Sequence, residues 1–167
     1  MHFIGSDLDF KRTYSGGVKS ENLNLGKLLG DSKFGHAQFN VDLEGFNYND
    51  KYPESYIKGL VSSFDYSGYR YENISLDGIY KDGGFNGHLA LDDENGKVRI
   101  DGSFNIAEKI SDFNLYATIQ NLRLDKLNLS DKYIDSDISF NLNADFTGSS
   151  IDDVNGCILL DSLVLNA

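Results

Sequence analysis

Apolar residues recur at every second position along much of this chain. The runs are Ala37, Phe39, Val41, Leu43; Phe85, Gly87, Leu89, Leu91; and Val98, Ile100, Gly102, Phe104, Ile106. They continue with Phe113, Leu115, Ala117, Ile119 and with Ile138, Phe140, Leu142, Ala144, Phe146. Between these positions stand Asp, Asn, Ser, His, Lys and Arg. Successive side chains of a β-strand point to opposite faces, so each run makes a strand with one apolar face and one wet face. Half-wet strands belong to antiparallel sheets, because a parallel sheet covered on both sides reads as continuous apolar runs.

Composition supports the same fold class. Among 167 residues there are 20 Asp against 6 Glu, 16 Asn against 6 Ala, 17 Gly and one Pro. Helices favour Glu and Ala, whereas Asp, Asn and Gly supply turns through side-chain bonds and positive φ. Asp93-Glu94-Asn95-Gly96 separates two alternating runs and reads as a hairpin. A two-residue Asn95-Gly96 loop sets Leu91 opposite Ile100. A four-residue loop shifts the register by two, and both keep every apolar side chain on one face. Further turns are expected at Lys81–Gly84, Phe46–Pro53, Ser130–Lys132 and Gly148–Asn155. Helix is scarce: Leu23–Gly30 holds at most a short turn capping a sheet end, and Leu122, Leu124, Leu127, Leu129 skip a beat at Asp125-Lys126, as a bulge or short turn does. An amphipathic helix is the lesser reading of that leucine run.

Nine or ten such strands expose a continuous apolar face with no helix to bury it. The sheet must fold over itself, pair with a second sheet as a β-sandwich, close into a barrel, or leave a groove for an apolar ligand. Parity places Leu89, Leu91, Ile100, Phe104, Leu115, Ile119, Phe140, Leu142 and Phe146 on that face. Arg99, Asp101, Asn105, Tyr116, Asn141 and Asn143 then point to water.

Catalytic chemistry finds no foothold in the sequence. His2, His36 and His88 are scattered, and His88 falls on the polar face of its strand. Cys157 precedes Ile158-Leu159-Leu160 and reads as a buried free thiol, and a lone Cys makes no disulfide framework or Cys-based zinc site. Calcium-loop spacing fails at Asp92–Gly96 and Asp152-Asp153, where Leu91 and Ile151 stand at the first ligand position, so the former reads as a solvated hairpin tip. Tyr66, Tyr69, Tyr71 and Tyr80 read as strand packing with exposed hydroxyls. Asn73-Ile74-Ser75 and Asn128-Leu129-Ser130 match the glycosylation pattern without a context that uses it. A formal charge of −11 and a pI near 4.5 argue against nucleic acid or an anionic membrane surface as partner. No cofactor, no metal and no enzymatic activity are expected.

A family resemblance adds to this reading. From Phe64 to Ile74 (FDYSGYRYENI), then Ser75-Leu76-Asp77-Gly78-Ile79-Tyr80, Gly84–Leu89 and Asp101–Ile106, the chain resembles the TamB family, the translocation and assembly module subunit of double-membraned bacteria, related to AsmA-like proteins. Phe113-Asn114-Leu115 and Asn121–Leu129 continue the likeness, and Leu23–Gly30 is similar to its recurring leucine–glycine block. The resemblance implies an elongated antiparallel sheet folded over into a taco-like trough with an apolar inside. It makes residues 1–167 a single repetitive β domain, an interior fragment of a much longer periplasmic protein anchored in the inner membrane. The implied partners are phospholipid acyl chains moving between inner and outer membrane. The alternative is a scaffold aiding secretion and assembly of outer-membrane proteins with a barrel partner.

Overall fold

The computed structural model describes residues 2–8, 11–46, 54–81, 83–105, 111–132, 134–148 and 155–166. These form ten strands: β1 (His2–Leu8), β2 (Lys11–Asn24), β3 (Phe34–Phe46), β4 (Glu54–Tyr66), β5 (Tyr69–Lys81), β6 (Gly84–Asp93), β7 (Gly96–Asn105), β8 (Ser111–Leu122), β9 (Asp137–Gly148) and β10 (Asn155–Asn166). They lie in one open sheet in sequence order, each antiparallel to the next. The chain is all-β, as its alternation implies. Every strand pairs with its sequence neighbour, so a second sheet never forms among the described residues, and the β-sandwich alternative gives way. Ile106, the Phe46–Pro53 and Gly148–Asn155 turns, Ile151 and Asp152-Asp153 fall wholly or mainly outside the described residues.

Register carries the apolar face across the sheet. One row runs Val18, Val41, Gly59, Leu76, Leu89, Ile100, Ala117, Leu142, Leu160 from β2 to β10. Beside it lie Ile74, Leu91, Val98, Ile119, Phe140 on one side and Gly78, Gly87, Gly102, Leu115, Ala144 on the other. At the β6–β7 hairpin the turn is Glu94-Asn95 with Asp93 paired to Gly96, so Leu91 faces Val98 and Leu89 faces Ile100. That is the register of the four-residue loop.

Glycine is required where strands approach most closely. Gly102 has φ 140°, and a Cβ there meets Asn114 O at 2.2 Å and Leu115 Cα at 2.7 Å. At Gly87 a Cβ meets Asp77 O at 2.3 Å and Gly78 Cα at 2.5 Å. Glycine inside a strand marks a bend or close backbone approach, and this row lets neighbouring backbones close up on the apolar side, where a sheet can crease.

One margin of the sheet is capped. Helix α1 (Leu25–Leu29) starts at Asn24, whose side chain accepts from Lys27 N, and stops at Gly30 in the left-handed region, with φ 71°. Leu122 to Leu129 is a short turn: Leu127 N donates to Arg123 O and Leu129 N to Leu124 O. This turn leans back to β5, where the Tyr71 hydroxyl donates to Leu127 O at 2.9 Å. On a flat sheet β5 and β8 stand roughly 14 Å apart, three strand spacings. A curled sheet brings the turn and β5 together across the apolar face.

Candidate functional site: an apolar trough

All nine residues expected on the apolar face share it. Leu89, Ile100 and Leu142 lie in one row; Leu91, Ile119 and Phe140 in the next; Leu115 sits across from Gly102; Phe104 and Phe146 flank Phe113. Arg99, Asp101, Asn105, Tyr116, Asn141 and Asn143 take the opposite parity. Across β5 to β9 the four central rows carry no charged side chain, and the Tyr80 hydroxyl is their one polar side-chain group.

The face is half-covered. Buried apolar residues among those described are Ala37, Ala117, Ile119, Leu127 and Ala144, while Phe104 keeps 36% of its surface exposed. A self-packed core of this area buries its large side chains, so the sheet holds an open trough. Aromatic rings line its two margins. Phe113 stacks on Phe146 at 4.7 Å and Phe85 lies 5.7 Å from Phe104. At the capped margin Phe34, Phe64, Tyr66, Tyr69 and Tyr71 form a continuous cluster. Beside the turn, Leu122, Leu124, Ile138, Leu163 and Leu165 enclose most of a cavity of about 220 Å³, with Ser136 and Asp137 at its rim.

The outer face is an electrostatic ladder. Asp42, Lys58, Asp77, His88 and Asp101 stand in register across β3 to β7. Lys58 binds Asp77 at 2.8 Å, Tyr56 donates to Asp77 at 2.6 Å, and His88 contacts Asp101. The Lys58 ammonium, then the Tyr56 hydroxyl, hold the Asp77 carboxyl below the usual range. This face is charged and largely exposed.

Comparison with models of protein families, with curated proteins and with solved structures gives no match. The site's own chemistry therefore carries the functional argument. An apolar wall holds alkyl groups by removing them from water, at about 0.8 kcal/mol per buried methylene. That attraction is non-directional, so a bound chain can slide along the wall without breaking specific bonds.

Three sequence expectations are corrected by the coordinates. Cys157 is exposed rather than buried, because β10 is paired on one side only in the described sheet and Cys157 stands opposite Asp145 on the outward parity. Asp93 is 5% exposed, so the Asp92–Gly96 hairpin tip is solvated at Asp92 and Glu94 but closed at Asp93. Its Oδ1 accepts from the Tyr69 hydroxyl at 2.5 Å and from Asn95 N at 2.9 Å, and its Oδ2 accepts from Glu72 N at 3.1 Å. The hydroxyls of Tyr69 and Tyr71 are thus engaged rather than exposed. Sequence reasoning also missed the seat of Leu127, which is fully buried; the skipped alternation at Asp125-Lys126 was the one trace of it.

Proposed function

We propose that this chain is a segment of a TamB-like periplasmic protein, whose trough shields phospholipid acyl chains passing between the inner and outer membranes. The observation that carries the reading is the continuous, half-covered apolar face that spans the sheet in register while the opposite face is charged. A soluble domain rarely leaves so extended an apolar surface without an occupant. The work is binding and conduction, with no bond made or broken and no cofactor. The full-length protein is anchored in the inner membrane.

Lipid extracted from the purified chain and identified by mass spectrometry tests this directly. Leu142→Asp places a carboxylate on the trough wall, and Asn143→Asp places one in water. Leu142→Asp is expected to lose bound lipid with an intermediate loss of thermal stability, while Asn143→Asp changes neither. No phospholipid on the parent chain, together with collapse of Leu142→Asp, refutes the conduit.

A second reading draws on β10, whose Ile158, Leu159, Leu160, Leu163, Val164 and Leu165 are all about half exposed or more. β10 is the last strand of the described sheet, and an apolar strand with an unpaired side can accept another strand by main-chain pairing. This supports a scaffold that aids assembly of outer-membrane proteins with a barrel partner.

A further inference from the structure

Arg123–Ser130 is built as a separate body resting on the trough. Its own hydrogen bonds make it self-sufficient: Leu127 N to Arg123 O at 3.0 Å, Asn128 N to Asp125 O at 3.3 Å, Leu129 N to Leu124 O at 2.9 Å and Ser130 N to Leu124 O at 3.1 Å. Asn128 takes the left-handed conformation, φ 55°, that closes this turn. Arg123 at 3.4 Å and Lys126 at 3.1 Å bind Asp135, and Asp135 N donates to Asp125, all within the connection to β9; the turn's attachments to the sheet itself are few. Arg123 N donates to Asn95 O at 2.9 Å, Tyr71 donates to Leu127 O, and Asn128 Nδ2 donates to Ser67 O at 3.2 Å. Two leucines hold it as well: Leu127, fully buried where the turn meets Tyr71, and Leu124, which lines the aliphatic cavity with Ile138 and Leu165.

The seated position also carries a cost. Asp125 Oδ2 accepts from Asp135 N and binds Lys126, whereas Oδ1 is buried with no partner. A buried polar atom without a partner is disfavoured, and lifting the turn returns it to water. A body with its own backbone bonds, one fully buried leucine and a buried orphan oxygen is arranged to leave its seat as a unit.

We propose that Arg123–Ser130 is a displaceable cover, seated on Tyr71 and Ser67 when the trough is empty and lifted when an alkyl chain takes the place of Leu127. This rests on the reading of the trough as a lipid path. Leu127 and an acyl chain present the same chemistry to the same wall, so they exclude one another there. Leu124 moves with the cover and opens the adjoining aliphatic cavity to the trough.

Three forms of the full chain in a Cys157→Ser background test it, using vesicles of phosphatidylcholine containing a pyrene-labelled phosphatidylcholine. In the first form Ser67→Cys and Asn128→Cys are joined by a short bismaleimide linker, which holds the cover down. In the second, Tyr71→Phe removes one anchor without removing volume. The third is the background chain. Pyrene transfer to protein is expected to fall about tenfold in the linked form, and to rise severalfold in Tyr71→Phe, for the loss of one hydrogen bond. Hydrogen exchange at the Leu127–Ser130 amides should speed up when vesicles are added to the background chain. Equal transfer in all three forms, with unchanged exchange, overturns the cover and leaves the lipid path standing. No transfer in any form overturns both.

Discussion

Asp93 lies inside the hairpin that its sequence makes look wet. Its two oxygens accept a hydroxyl and two backbone N–H groups, so one side chain closes the β6–β7 turn and ties it to Tyr69 on β5. An Asp two residues before a backbone N–H is a familiar turn former, and that part was legible in the sequence. The partner Tyr69 was not, because it lies 24 positions away and the antiparallel pairing of β5 with β6 brings it near. Burial, then the Asp93 contact, pushes the Tyr69 hydroxyl up to about 12 from an ordinary 10.0. Its folded pKa exceeds its unfolded one, so this contribution to stability is complete below pH 10 and is lost as pH rises toward 12. Denaturation midpoints measured from pH 8 upward should fall in that alkaline window. Tyr69→Phe, which cannot ionise, should be less stable at pH 8 and flatter above pH 10; an unchanged alkaline slope in that variant refutes the assignment.

Strand identities and faces were readable because alternation is a local signal, and no register shift by two alters it. The half-wet pattern from Phe85 to Phe146 places the central four strands without ambiguity. Bulges were harder to read. Register slips between Ser20 and Leu23, between Phe34 and Ala37, and between Ile119 and Leu122, where the pairing partner rather than the sequence dictates the extra residue. Asn121 inside the β8 slip, and Ser162 inside the β10 slip between Asp161 and Val164, take positive φ without being glycine. The glycine row shows the opposite case, where the residue type is dictated by close approach. Gly102→Ala combines a φ of 140° with a Cβ 2.2 Å from a backbone oxygen, and should cost about 3 kcal/mol or more in chemical denaturation. Gly17→Ala meets only the Asp42 carboxylate at 3.3 Å, a side chain free to shift, and should stay within about 1 kcal/mol of the parent. Equal tolerance at both positions removes the crease from the account of how the sheet curls.

The sheet of the isolated chain ends at β10, and the behaviour of that chain in solution depends on how this edge is guarded. Natural edges are protected by Lys, by Pro, by short length or by bulges that twist the strand away. β10 is twelve residues long, holds no Lys and no Pro, and carries one charge at Asp161. A register shift between Asp161 and Val164 is its one such device. Leu159 and Val164 face the same side as Asn143 and Ser139, so the outer face of this strand carries large apolar side chains beside Asp161. Such an edge seeks another strand, and in a solution of the isolated chain a second copy is the available supplier. Sedimentation velocity under reducing conditions, which exclude disulfides through Cys157, should show self-association growing with protein concentration. Raising salt should leave it intact, because main-chain pairing and aliphatic contact are not screened as ion pairs are. Leu159→Lys with Val164→Lys puts two charges on the outer side of the edge and leaves the trough wall untouched, so association should fall sharply while far-ultraviolet circular dichroism keeps its β signature. A parent chain that stays monomeric across the whole concentration range shows that the Asp161–Val164 irregularity alone suffices to guard the edge, and it withdraws support from the strand-accepting reading of β10.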